Sequence, residues 1–253
     1  MGDLKLWLED RYNYYNNPSF IAADPISVPH RFSIKQDIEI AGFFAAIMAW
    51  GQRVTIINKA NELMKLMDDA PFDFIKNHKE KERQRFNAFK HRTLQPDDVI
   101  YLVDVLQKFY LQHDTMEDAF AKHMHGEEED TFKALAGFHH HLFDQPFVIE
   151  RTRKHISNPE KKSSCKRLNM FLRWMVRKDN HGVDFGIWTK ISPAQLVIPL
   201  DLHVGRVARE LGLLSRTIND WQAAKELTSE LKKFDAKDPV KYDFALFGEG
   251  VLK

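Results

Sequence analysis

The run Ile40 to Trp50 (IAGFFAAIMAW) carries no charged side chain. It follows Ser33 and Gln36, which have the spacing of a capping box, so a helix is expected from about Lys35. A helix that is apolar nearly all round is buried on most sides. The rest of the chain must therefore cover it. Nowhere do Val and Ile alternate with polar residues, and no Asn-Gly or Asp-Gly hairpin turn occurs. The cover must come from other helices, and an all-α fold is expected.

Helical signals recur along the chain. Leu4 to Tyr15 reads as a helix, and the Pro18, Pro25 and Pro29 segment, Asn16 to Arg31, reads as extended. Val54 to Met67 places Ile56, Ile57, Ala60, Leu63 and Met64 inward. Pro71 opens a short helix, and Pro96 opens a longer one to about His113. His78 to Arg92 is dense in charge and reads as a solvated helix or loop. Helices are also expected over Met116 to His125, Asp130 to Phe143, Phe147 to Ile156, and from Asp238-Pro239 to a stop at Gly248. His139, His140 and His141 point three ways on a helix and cannot share a metal by themselves.

Composition narrows the classes. In 253 residues there is one cysteine, Cys165, which excludes an internal disulfide, a four-cysteine zinc site and a cysteine-held iron–sulfur cluster. No metal or cofactor is expected. No run approaches the roughly 20 apolar residues needed to span a bilayer, and Met1 to Asn16 has no secretory apolar core. A cytoplasmic protein with no membrane partner is expected. With a net charge of +1, any nucleic-acid surface must be a local basic patch.

Two stretches carry candidate chemistry. In Ser163 to Arg177 (SSCKRLNMFLRWMVR), Leu168, Phe171, Leu172 and Met175 share one helical face. Lys166 lies opposite, with Arg173 and Arg177 near it, which predicts an outward basic face able to track phosphates. In Ile198 to Leu213 (IPLDLHVGRVARELGL), a proline is followed by Asp201 at the start of an amphipathic helix that Gly212 ends. Asp201 is a ready N-cap. That role is compatible with a second one for the same carboxylate.

The Asp201 stretch resembles the helix-hairpin-helix–GPD superfamily of DNA glycosylases, where an aspartate, followed one residue beyond by His, stands after an apolar-Pro approach at a helix N-terminus. Ala49 to Ala60 (AWGQRVTIINKA) resembles the family's turn in which a glutamine probes the gap left by an extruded base, and Phe244 to Gly250 resembles its late helix. The whole chain also resembles an uncharacterised bacterial family. The resemblance implies a two-lobed helical fold with a cleft between the lobes. One lobe would be the helical bundle 35–198, the other 1–34 with 199–253. It further implies base-excision repair on damaged double-stranded DNA, through a flipped base. Lys166 would be the Schiff-base nucleophile of a glycosylase with lyase activity, and Asp201 would stabilise charge on the sugar. Gln52, Arg53, Ser163, Ser164, Arg173, Arg177, His203 and Arg206 would contact DNA.

The chain departs from the pattern in two places. The turn Glu160 to Ser164 before Lys166 has no glycine, where the family has apolar-Pro-Gly-x-Gly. Lys166 and Asp201 are 201 − 166 = 35 residues apart, a long spacing that most resembles the archaeal 8-oxoguanine glycosylase branch and suggests an oxidised purine. Lys161 and Lys162 are competing nucleophiles. Two other readings stand beside the enzyme: a catalytically inactive nucleic-acid-binding protein of the same fold, and a helical protein that binds a protein partner or small ligand.

Overall fold

A computed structural model describes residues 2–126 and 128–251. The chain is all-helical, with no strand among the described residues, only two isolated bridges. No helix among them is long and apolar enough to cross a membrane. The helices gather into two compact units.

One unit comprises Ala23–His123 and Gly137–Ser157. It holds α3 (Lys35–Ile47), α4 (Arg53–Leu66), α5 (Pro71–Asn77), α6 (Pro96–Tyr110) and α7 (Glu117–Ala121), with most of α8 (Phe132–Phe143). α3 is its axis: every residue from Asp37 to Ile47 is buried, and α4 and α5 pack against it. A carboxylate survives inside because its partners are inside too. Glu39 accepts from Tyr110 Oη and Met116 N, each at 2.9 Å, and from Thr115 Oγ1.

The other unit comprises Met1–Ala22, Met124–Ala136 and Asn158–Lys253. A division at 34 and 198 would have left 158–198 with the bundle; that segment belongs instead with the C-terminal helices. The unit holds α1 (Gly2–Tyr15), α2 (Ser19–Ala22), α9 (Lys166–Val176), α10 (Leu202–Glu210), α11 (Trp221–Lys232) and α12 (Asp243–Val251). α12 is the hub, packing on both α1 and α10.

Several local expectations are corrected. The proline-rich segment 16–31 is not extended; it forms α2 and two short 3-10 turns, Pro25–Ser27 and Pro29–Arg31. Proline at the first position of such a turn loses no hydrogen bond. Ser33 does not cap α3, because the helix starts after Ile34 and Gln36 Nε2 donates instead to Asp114 O at 2.8 Å. The charged stretch after His78 is a 3-10 segment, Glu80–Ala88, whose arginines pair with Asp104 and Asp68 while Phe86 is buried. Glu150–His155 is also 3-10. Asp238 does not cap by its side chain, and the helix expected from it is a 3-10 turn (Pro239–Tyr242) followed by α12, which runs past Gly248 to Val251.

The three histidines of α8 do diverge. His139 is buried, His140 exposed and His141 half-buried. Lys122 Nζ sits 3.2 Å from His141 Nδ1. Burial first, then the charges of Lys122, His113 and His123, push the His141 pKa from 6.5 down to about 4. Above 6.5 neither folded nor unfolded chain carries that proton. Below it the unfolded chain binds one first, so His141 removes stability as pH falls from 6.5 towards 4. The difference in urea-unfolding free energy between wild type and His141→Gln is expected to shift in favour of the variant across that window. Parallel pH profiles for the two proteins would contradict it.

Candidate active site

The site is built in the unit that contains α9 and α10. Ile198 and Leu200 are buried, and Ile198 N donates to Thr228 Oγ1 at 3.0 Å, which fixes the extended approach to Asp201. Asp201 itself is extended (φ −115°, ψ −170°) and caps α10. Its Oδ1 accepts from His203 N and Val204 N, both at 2.9 Å. Its Oδ2 is turned to Lys166 Nζ, 3.8 Å away. One oxygen holds the helix and the other faces the amine. Both side chains are partly exposed, 27% for Lys166 and 20% for Asp201, so a ligand has access to the pair.

The backbone of Asp201 is held from both sides. Asn219 Nδ2 donates to Asp201 O at 2.9 Å, and Arg209 holds the Asn219 amide oxygen. Both lie across Gly205, where a Cβ would stand 2.8 Å from Asn219 Oδ1 and 2.9 Å from Arg209 Nη1. Glycine is required there for close approach. On the other side, Ser164 Oγ donates to Leu200 O at 3.3 Å, and Asn169 Nδ2 donates to Ser164 O at 3.0 Å. Ser163 Oγ accepts from Cys165 N at 3.2 Å. The turn before Lys166 lacks glycine, yet Lys162 (φ 61°) and Cys165 (φ 52°) both adopt the left-handed conformation that glycine usually supplies.

Arg173 and Arg177 correct the expectation of an outward basic face. Residues Leu168 to Val176 are buried without exception, and Arg177 is wholly inaccessible. A buried guanidinium persists only with buried anions. Arg173 binds Asp243 and, through Nε at 3.2 Å, Asp184. Arg177 binds Asp184 at 2.5 Å, Asp238 at 2.9 Å and Asp179 at 3.1 Å. Asn16 Nδ2 and Tyr12 Oη from α1 also donate to Asp179, at 2.8 and 3.2 Å. Neither arginine is free to touch phosphate. The segment 178–190 contributes Asp179 and Asp184 to this network.

Asp243, at the start of α12, joins the network to the site. Its pKa is pushed to about 6, chiefly by burial, against the pull of Arg173, with the Asp201 carboxylate raising it and Lys166 lowering it. Its Oδ1 is buried without a hydrogen-bond partner. Asp243, Asp184, Asn219 and Gly205 were all missed by sequence reasoning. His203 and Arg206 are exposed on α10; Arg206 pairs with Glu210 at 3.0 Å and donates to Gly250 O at 3.3 Å.

Gln52 and Arg53 belong to the other unit. Gln52 is exposed and precedes α4 without a side-chain cap bond. The turn is shaped by Gly51 (φ 107°), whose place a Cβ could not share with Arg92 Nη1, 2.7 Å away. Trp50 is held beside it by stacking on His155 at 5.8 Å and edge contact with His91 at 5.0 Å. Among the described residues there is no group of three or more His, Cys, Asp or Glu placed to hold a metal ion.

A family profile described as "Protein of unknown function (DUF2400)" matches residues 24–252, and the chain belongs to that family. Neither the curated proteins nor the solved structures include a match.

Removing one partner of a buried ion pair strands the other and costs about 3–5 kcal/mol. Arg177→Met, which leaves Asp184 partly unpaired, is expected to lower the urea-unfolding free energy by about that amount. A loss below about 1 kcal/mol, the level of an exposed pair, would show that the network is not the anchor described.

Proposed function

We propose that the chain is a DNA glycosylase with lyase chemistry, acting in base-excision repair on a damaged base flipped from a duplex. The single observation that supports this reading is the facing of Lys166 Nζ and Asp201 Oδ2 at 3.8 Å. A base inside a stack is out of reach of any such pair, so it must be extruded. Gln52, at its exposed turn, would probe the gap.

In this reading the neutral Lys166 amine attacks the sugar C1′ as the bond from C1′ to the base nitrogen breaks. The bonding electrons leave with the base, which takes up the proton released by the amine. The Asp201 carboxylate stabilises positive charge on the sugar during this step. Opening of the C1′–O4′ bond, with O4′ taking a proton from water, gives the Schiff base that permits strand cleavage. Arg167, half-buried beside Lys166 and desolvated enough that its pKa falls to about 10, supplies a neighbouring cation. The substrate class is an oxidised purine, on the resemblance to the archaeal branch.

Borohydride reduction of the protein mixed with duplexes bearing damaged bases or an abasic site should trap a covalent adduct. Lys166→Ala should abolish it. Asp201→Asn retains an oxygen for the α10 cap, so it should fold yet lower base release by about 10²–10³. An adduct that persists in Lys166→Ala moves the role to another amine. Absence of both adduct and base release, with salt-sensitive DNA binding intact, favours the non-catalytic binding protein. Absence of binding as well favours a protein or small-ligand partner.

A further inference from the structure

α10 buries Val204, Gly205, Val207 and Ala208. At 100° per residue Leu202 lies opposite that stripe, on the outward side with Arg206 and His203. It is 80% exposed. Any polar residue would serve at the first position of a helix, so packing does not explain a leucine there. A second large apolar side chain lies close by in the fold. Ile218, 69% exposed, directly precedes Asn219, and Asn219 is bonded to the carbonyl of Asp201, the residue directly before Leu202. The two exposed side chains therefore flank one hydrogen bond at the backbone of the candidate catalytic aspartate.

The surroundings are cationic. Trp221 N donates to Lys162 O at 3.1 Å, which brings the Pro159–Lys161 turn to the loop that carries Ile218. Lys161 and Lys162 are exposed and form no ion pair among the described residues. Lys166, His203, Arg206 and Arg216 lie on the same structural elements; Arg206 and Arg216 are paired with Glu210 and Asp220. An apolar tip within a basic rim fits a polyanion that offers flat apolar surface between its charges. Double-stranded DNA is such a partner, and apolar side chains that enter a base step are a known way of unstacking it.

We infer that Leu202 and Ile218 form a wedge that enters the base stack of duplex DNA next to the nucleotide held at Lys166 and Asp201. The inference rests on the glycosylase reading. The wedge adds apolar contact and leaves the number of phosphate contacts unchanged.

The test uses the full chain and a duplex with a tetrahydrofuran abasic analogue beside 2-aminopurine, whose fluorescence rises on unstacking. Wild type should raise the fluorescence. The double variant Leu202→Ser/Ile218→Ser should lose most of that rise and bind about tenfold more weakly, with the dependence of log affinity on log salt unchanged. Both positions are exposed, so its thermal unfolding should match wild type. A double variant that binds and unstacks like wild type overturns the wedge while leaving the glycosylase reading in place. A wild type that does not bind the duplex overturns both. Loss of self-association in the double variant, seen by sedimentation, would make the pair an interface between copies and also overturn the wedge.

Discussion

The interaction on which the candidate site depends is the buried pairing of Arg173 and Arg177 with Asp184. Asp184 is wholly enclosed, and burial raises its pKa against the pull of both guanidiniums. Ions so placed are stable only as a set, because each would be costly alone. The set ties α9 to the segment 178–190, and through Asp243 and Asp238 to α12 and the turn before it. α9 thereby gains a fixed position, and Lys166 is its first residue. The long insertion between the lysine and the aspartate supplies the anchor for the helix that presents the lysine.

Asp201 shows how a structural and a chemical role share one carboxylate. Capping uses Oδ1 alone, since both N–H groups of the first turn converge on it. Oδ2 is left for Lys166. The cap also fixes the side-chain orientation, which would otherwise rotate, so the acid is pre-organised at no further entropic cost. The close packing over Gly205 extends this constraint to the backbone. Lys162 and Cys165 play the matching part before α9. A left-handed conformation costs a non-glycine residue roughly 1–2 kcal/mol, an expense the folded unit tolerates for the turn that delivers Lys166.

Much of the architecture was legible in the chain because it is encoded locally. The apolar run in α3, proline at the start of α5 and α6, and the acid before α10 are signals within one or two turns. The fate of Arg173 and Arg177 was not legible. A helical wheel places them opposite the apolar stripe and so outward, and nothing nearby contradicts it. Their partners stand 11, 61 and 70 residues away at Asp184, Asp238 and Asp243. Charge pairing over such separations leaves no periodic trace. The left-handed turn was hidden for a related reason: glycine is its usual marker, and here buried neighbours hold lysine and cysteine in the same conformation. The pairing of Lys166 with Asp201 came from resemblance, and their local sequences gave only a cap and a basic helix.

The central claim is that one amine, set by the α9 anchor and faced by Asp201, performs the covalent step. The most direct measurement is to reduce the complex of wild-type protein with abasic DNA, digest it, and locate the modified residue by tandem mass spectrometry. The account predicts the reduced sugar remnant on Lys166 Nζ alone. Modification at Lys161, Lys162 or the terminal amine, with Lys166 unmodified, would contradict it.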